Sequence, residues 1–168
     1  MTKVLASILC CFVSAACLAE SKAEGPDLEA TVRWMGSFLE THGALYDRRG
    51  AVFTNQIVGR RCQLDLVVKY QKPSGNEARS IASKLDLADF DPRVTIDSDA
   101  NQNKYEVKLE RSDAKMKTHE VTEYSNGQKI EMWTTEISLF FDSEASAQKF
   151  AKAMKHAIVL CGGKTAPF

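Results

Sequence analysis

The chain has 168 residues, 44% of them hydrophobic and 26% charged, with 22 basic side chains against 22 acidic ones. That balance argues against a nucleic-acid binder, whose affinity comes largely from cations that neutralise phosphates. The length suits one domain of ordinary size, able to bury a core without depending wholly on covalent staples.

The first predicted element is an export signal. Residues Met1 to Ala19 read MTKVLASILCCFVSAACLA, with Lys3 at the start, an apolar run from Val4, and small residues at Cys17 and Ala19 ahead of Glu20. A basic start, a hydrophobic middle and a small-x-small cleavage site form the secretory pattern. No later segment approaches the roughly 20 apolar residues that a membrane span needs. The expected mature protein therefore begins at Glu20 and is periplasmic or extracellular. A second processing route stays open, because Ser14-Ala15-Ala16-Cys17 resembles a lipobox and would leave a membrane-anchored lipoprotein with a lipidated Cys17, although Ser14 stands where Leu is usual.

Residues 20–25 read as a flexible leader and 26–168 as a single α+β domain. Pro26-Asp27 opens a helix, on which Leu28, Val32, Met35, Phe38, Leu39 and His42 recur at helical spacing until Gly43 stops it. A polar link with Arg48-Arg49-Gly50 follows. In CQLDLVVKY, Cys62, Leu64, Leu66, Val68 and Tyr70 alternate as one face of a half-buried strand. Pro73-Ser74-Gly75-Asn76 is a turn, and Ile81, Leu85 and Leu87 mark a second strand. Short strands are expected at Val94/Ile96 and Tyr105/Val107/Leu109, separated by a polar turn from Asp97 to Asn103. Met116–Tyr124 and Gln128–Phe141 form a hairpin around Ser125-Asn126-Gly127, where Asn-Gly suggests a type I′ turn. Apolar parity slips within the second arm, so a bulge or bend is expected near Trp133. Asp142 and Ser143 are N-cap candidates for a final helix whose stripe is Ala147, Phe150, Ala151, Met154, Ala157, Ile158 and Cys161, with Gly162 free to adopt a left-handed cap.

Cysteine usage agrees with export. Cleavage after Ala19 removes Cys10, Cys11 and Cys17 and leaves Cys62 and Cys161. Both fall on apolar faces directed at one core in an oxidising compartment, so a Cys62–Cys161 disulfide is expected. Catalytic, cofactor and metal motifs are lacking. Gly162-Gly163-Lys164-Thr165 is no P-loop, since Ile158 stands where the first glycine belongs and the stretch follows a helix instead of preceding one. His42, His119 and His156 lie in three different elements, without metal-ligand spacing. Candidate binding residues are the arginine pairs Arg48/Arg49 and Arg60/Arg61, which flank AVFTNQIVG, and the exposed side of Trp34.

One helix, six or seven antiparallel strands and a capping helix, with SLFFDSEASAQKFAKAMKHAI as last strand and helix, resemble the pleckstrin-homology-like fold. KLDLADFDPRVTI and the tail from His156 to Phe168, of the form HA-x-x-LCGGK-x-x-PF, resemble a group of uncharacterised small secreted bacterial proteins. The resemblance implies a fold and a compartment and carries no activity. The expected function is a non-catalytic, cofactor-free binding module for a protein or envelope component. The alternative is a carrier of a small ligand or lipid in the space between bent sheet and helix, with an enzyme third. An exposed apolar patch would favour the first, and an apolar pocket with a few polar groups the second.

Overall fold

The computed structural model describes residues 25–46, 49–74, 78–99 and 104–165. The expected export signal, Cys17, the leader up to residue 24, and Arg48 lie outside them. Helix α1 spans Leu28–His42. Asp27 caps it by accepting a hydrogen bond from the Ala30 N–H at 2.8 Å, and Gly43 closes it with its N–H on the Leu39 carbonyl. Val32, Met35 and Leu39 are buried, whereas Trp34 stacks on Phe38 with ring centroids 4.6 Å apart and stays 41% exposed.

Nine strands follow among the described residues, more than the six or seven expected: β1 (Ala44–Tyr46), β2 (Val52–Arg60), β3 (Gln63–Gln71), β4 (Ala78–Asp86), β5 (Thr95–Asp99), β6 (Lys104–Glu110), β7 (Thr118–Tyr124), β8 (Lys129–Thr134) and β9 (Glu136–Phe140). They form a six-stranded antiparallel sheet in the order β1-β2-β3-β4-β7-β8 and a three-stranded one in the order β5-β6-β9. The architecture is α+β, as expected, with two sheets where one bent sheet was anticipated. Leu87 belongs to a short 3-10 turn after β4 instead of the strand, and β5 reaches Asp99 through residues expected to be turn.

The bend expected near Trp133 is a change of sheet. At Thr135 the chain leaves β8 and enters β9, and the Thr134 hydroxyl holds the corner by bonding both the N–H and the carbonyl of Glu136. Each strand keeps its own parity: Ile137 and Leu139 are buried on β9, while Ile130 and Met132 on β8 are 41% and 49% exposed. The parity slip in the sequence is the trace of two strands facing different surroundings.

The β7–β8 turn also departs from expectation. Glu123 pairs with Lys129, the Gly127 N–H bonds the Tyr124 carbonyl, and Gly127 has φ +81°. Asn126 does not take positive φ, which type I′ requires. The loop is therefore a three-residue turn with a left-handed glycine at its end, and the Asn126 side chain accepts from the Gln128 N–H at 2.9 Å. A Cβ on Gly127 would meet nothing within 4 Å, so Gly127→Ala is expected to cost about 1 kcal/mol from backbone strain alone. Urea titration of the variant checks this.

Helix α2 spans Glu144–Leu160 with Ser143 as its N-cap. Its stripe of Ala147, Phe150, Ala151, Met154, Ala157 and Ile158 is buried. It packs on β5, β6 and α1 and shares one contiguous core with both sheets. The helix ends in paired bonds from Gly163 N–H to the Ile158 carbonyl and from Gly162 N–H to the Val159 carbonyl, with Gly162 at φ +81°. A side chain on Gly163 would collide with Ile158 and the Phe90 carbonyl. The two glycines thus perform different tasks, one a left-handed cap and the other a close approach.

The Cys62–Cys161 disulfide is formed, with Cα atoms 5.6 Å apart across 99 residues of sequence. Its placement corrects the expectation that both thiols face into the core. Cys62 sits in the two-residue β2–β3 turn, Cys161 is the α2 C-cap, and both are half-buried. The bond clasps two chain reversals at the edge of the core.

Candidate functional site

Strand β2 is covered only in part. β1 pairs with Val52 to Thr54, and the Gly43 carbonyl accepts from the Asn55 N–H at 2.7 Å. In an antiparallel ladder the backbone groups of alternate residues point to the same side. Ile57 and Gly59 therefore direct their N–H and C=O groups the same way as Asn55, where β1 has ended and no described residue bonds them. Helix α1 runs beside this open edge, leaving a groove of about 1100 Å³. At Gly36 the helix comes close to the strand, where a Cβ would lie 3.4 Å from the Ile57 carbonyl oxygen.

Arg60 and Arg61 line one end of this groove. Both are exposed and have no hydrogen-bond or ion-pair partner among the described residues. Arg61 has φ +55°, the one positive value outside glycine among the described residues, so the turn that carries the basic pair is held in a left-handed conformation costing about 1–2 kcal/mol. Arg33 also lines the groove but is tied to Glu29 at 2.9 Å. The other sequence candidates do not join them. Trp34 lies on a different flank of α1 with Phe38, Arg49 does not line the groove, and Arg48 is outside the described residues.

The three histidines stay apart, each with its own partner. His42 Nδ1 lies 2.8 Å from Asp142, joining the end of α1 to the start of α2. His119 Nε2 lies 3.1 Å from Glu131 and its ring packs on Trp133, while His156 Nε2 is 2.8 Å from the Pro26 carbonyl oxygen. Among the described residues no three His, Cys, Asp or Glu side chains are grouped to hold a metal ion. No described helix is long and apolar enough to cross a membrane.

A second, smaller cavity of about 310 Å³ opens between the six-stranded sheet and β9. Its apolar wall includes Phe53, whose ring lies 4.7 Å from Phe140 and 4.9 Å from Tyr70. Its polar groups are Arg79, Ser83, Glu120, Thr134, Glu136 and Ser138. Partial burial raises the Glu120 carboxyl above its ordinary pKa, against the lowering effect of the Ser83 hydroxyl donating at 3.3 Å. The space between helix and sheet, where a carrier site was expected, is filled by Phe150, Met154 and Ile158, none of them exposed.

Sequence reasoning passed over this cavity because its polar groups come from β4, β7, β8 and β9, spread along the chain from Arg79 to Ser138. It also passed over the open β2 edge, because β2 directs Phe53, Asn55, Ile57 and Gly59 inward and so lacks a clean apolar alternation. Fold and surface together define an α+β protein of two antiparallel sheets and two helices, with an open strand edge beside a helix. No known family, curated protein or solved structure matches this chain.

Proposed function

We propose that the protein is an exported, non-catalytic binding module that takes an extended peptide segment into the α1–β2 groove. The observation that carries this reading is the unpaired backbone of Ile57 and Gly59 beside two unpartnered cations, Arg60 and Arg61. Because Gly36 of α1 closes on the Ile57 carbonyl, an incoming segment would enter at the Gly59 end of the edge, beside Arg60 and Arg61, and gain main-chain hydrogen bonds there. A carboxylate at the end of that segment would meet the arginines, whose planar forks suit it. Exposed Ile130, Met132 and Trp133 on β8, the opposite edge of the sheet, supply further apolar surface of the kind protein partners use. The capping of two antiparallel sheets by a C-terminal helix supports the pleckstrin-homology-like reading of the fold. The disulfide supports an oxidising compartment.

Fluorescence anisotropy with a labelled peptide of alternating valine and threonine ending in two aspartates tests the groove. Binding is expected to weaken by about tenfold or more in Arg60→Glu with Arg61→Glu. Binding is also expected to fail when alternate peptide nitrogens are methylated, which removes ladder donors and leaves the charge. Equal binding of the methylated peptide would reduce the interaction to charge alone and sink strand addition.

A further inference from the structure

We propose that the cavity between the two sheets binds a small amphipathic monocarboxylate, anchored by Arg79 and the backbone of Ser138. This site is independent of the peptide groove, and it differs from the helix–sheet space in which a carrier site was expected.

Arg79 is the first reason. Its Nε is buried without a hydrogen-bond partner, and its guanidinium carbon lies 5.1 Å from the centre of the Tyr70 ring. A buried guanidinium N–H left unbonded costs free energy that an acceptor would recover, and an anionic acceptor recovers most. This contact with the Tyr70 ring restrains the group before a ligand arrives.

Ser138 is the second. Its neighbours on β9 at even positions both bond away from β6: the Glu136 N–H donates to Thr134 Oγ1, and the Phe140 N–H donates to Asn55 Oδ1, each at 3.2 Å. Ser138 lies between them in the same register and so presents its N–H and C=O to that side, into the cavity it lines, where no described group takes them. A strand edge with one unclaimed residue between two claimed ones is a specific vacancy for a ligand oxygen.

Shape and charge narrow the ligand. Phe53, Phe140 and Ile81 give an apolar wall, and a volume of about 310 Å³ sits at the low end of ligand pockets, enough for one aromatic ring or a short acyl chain. Glu120 pairs with Ser83, four residues along β4 from Arg79, so the two charged groups are separated by about 13 Å of strand. Glu136 also lines the cavity, with Lys108 3.9 Å from its carboxylate, so a second carboxylate on the ligand would be driven against Glu120 or Glu136, which selects a single acidic head with an apolar body.

Phenylacetate titrated into the full, oxidised protein is the probe, followed by calorimetry and by backbone amide shifts. Saturable one-to-one binding is expected, with the largest shifts at Ser138 and Ile81. Phenylacetamide, which keeps the shape and loses the charge, is expected to bind about tenfold more weakly. Arg79→Met, which keeps an apolar stem, is expected to weaken phenylacetate by a similar factor and phenylacetamide by less, so that the acid and the amide bind the variant nearly equally. No saturation at millimolar concentration, shifts centred on the α1–β2 groove, or equal binding of acid and amide would each overturn the proposal. The shift map and the amide comparison use the unmodified protein, so the outcome does not depend on the variant folding.

Discussion

Replacing both bridge cysteines, Cys62→Ala with Cys161→Ala, is expected to lower the unfolding free energy by about 3–5 kcal/mol. The bond closes a loop of 99 residues, and the chain-entropy treatment assigns a loop of that size about 4.7 kcal/mol, with measured values commonly lower. The effect should arise mainly in the unfolded chain. In the folded state the end of α2 is held without the bond, by the Gly163 N–H on the Ile158 carbonyl and by the close fit of Gly163 against Phe90. The variant should therefore keep a native circular dichroism spectrum while its denaturant midpoint falls. Two reactive thiols in protein purified without reductant, or an unmoved midpoint, would refute a stabilising bond.

Asn55 is the second position where a large loss is expected. It is 2% exposed, and its side chain joins three elements. Nδ2 donates to the Gly43 carbonyl at the end of α1 and to the Phe140 carbonyl on β9, while Oδ1 accepts from the Phe140 N–H. One amide thus closes the outer edge of the three-stranded sheet against β2 of the six-stranded one. Asn55→Asp preserves size but cannot donate, leaving the Phe140 carbonyl without its donor, the Gly43 carbonyl with only the Asn55 backbone N–H, and a charge beside both. A loss of about 3 kcal/mol or more is expected in urea titration at neutral pH. Asn55→Leu removes all three bonds and should lose a comparable amount. A shift below about 0.5 kcal/mol in Asn55→Asp would show that water or backbone movement replaces the amide.

The same residue shows where sequence reading stops. Both helices were legible because their apolar stripes, caps and terminal glycines agree with one another, from Asp27 to Gly43 and from Ser143 to Gly162. β3 was legible because Leu64, Leu66 and Val68 alternate with polar residues. β2 was not, since an inward asparagine on a strand reads as a polar break until the carbonyls it serves are in place. The arginine pair Arg60/Arg61 could be marked as basic, but the feature that makes it a candidate site is the bare edge of Ile57 and Gly59, which depends on β1 being only three residues long. Arg79 and Ser138 could not be connected, because only the change of sheet at Thr135 brings β9 across β4.

The position of the disulfide has a mechanical consequence. The covalent ring from Cys62 to Cys161 encloses β3 to β9 and α2 and leaves α1, β1 and β2 outside it. A pull on the two ends of the oxidised chain can straighten only the segments outside the ring, so about 350 Å of contour length stays locked until the sulfur–sulfur bond is cut. A protease nick inside the ring leaves both pieces tethered, whereas a nick between β1 and β2 severs α1 and β1 from the covalent body. Wear from the N-terminal side would thus strip away one wall of the peptide groove while the ring, and the cavity lined by β3, β4, β7 and β9, remained connected.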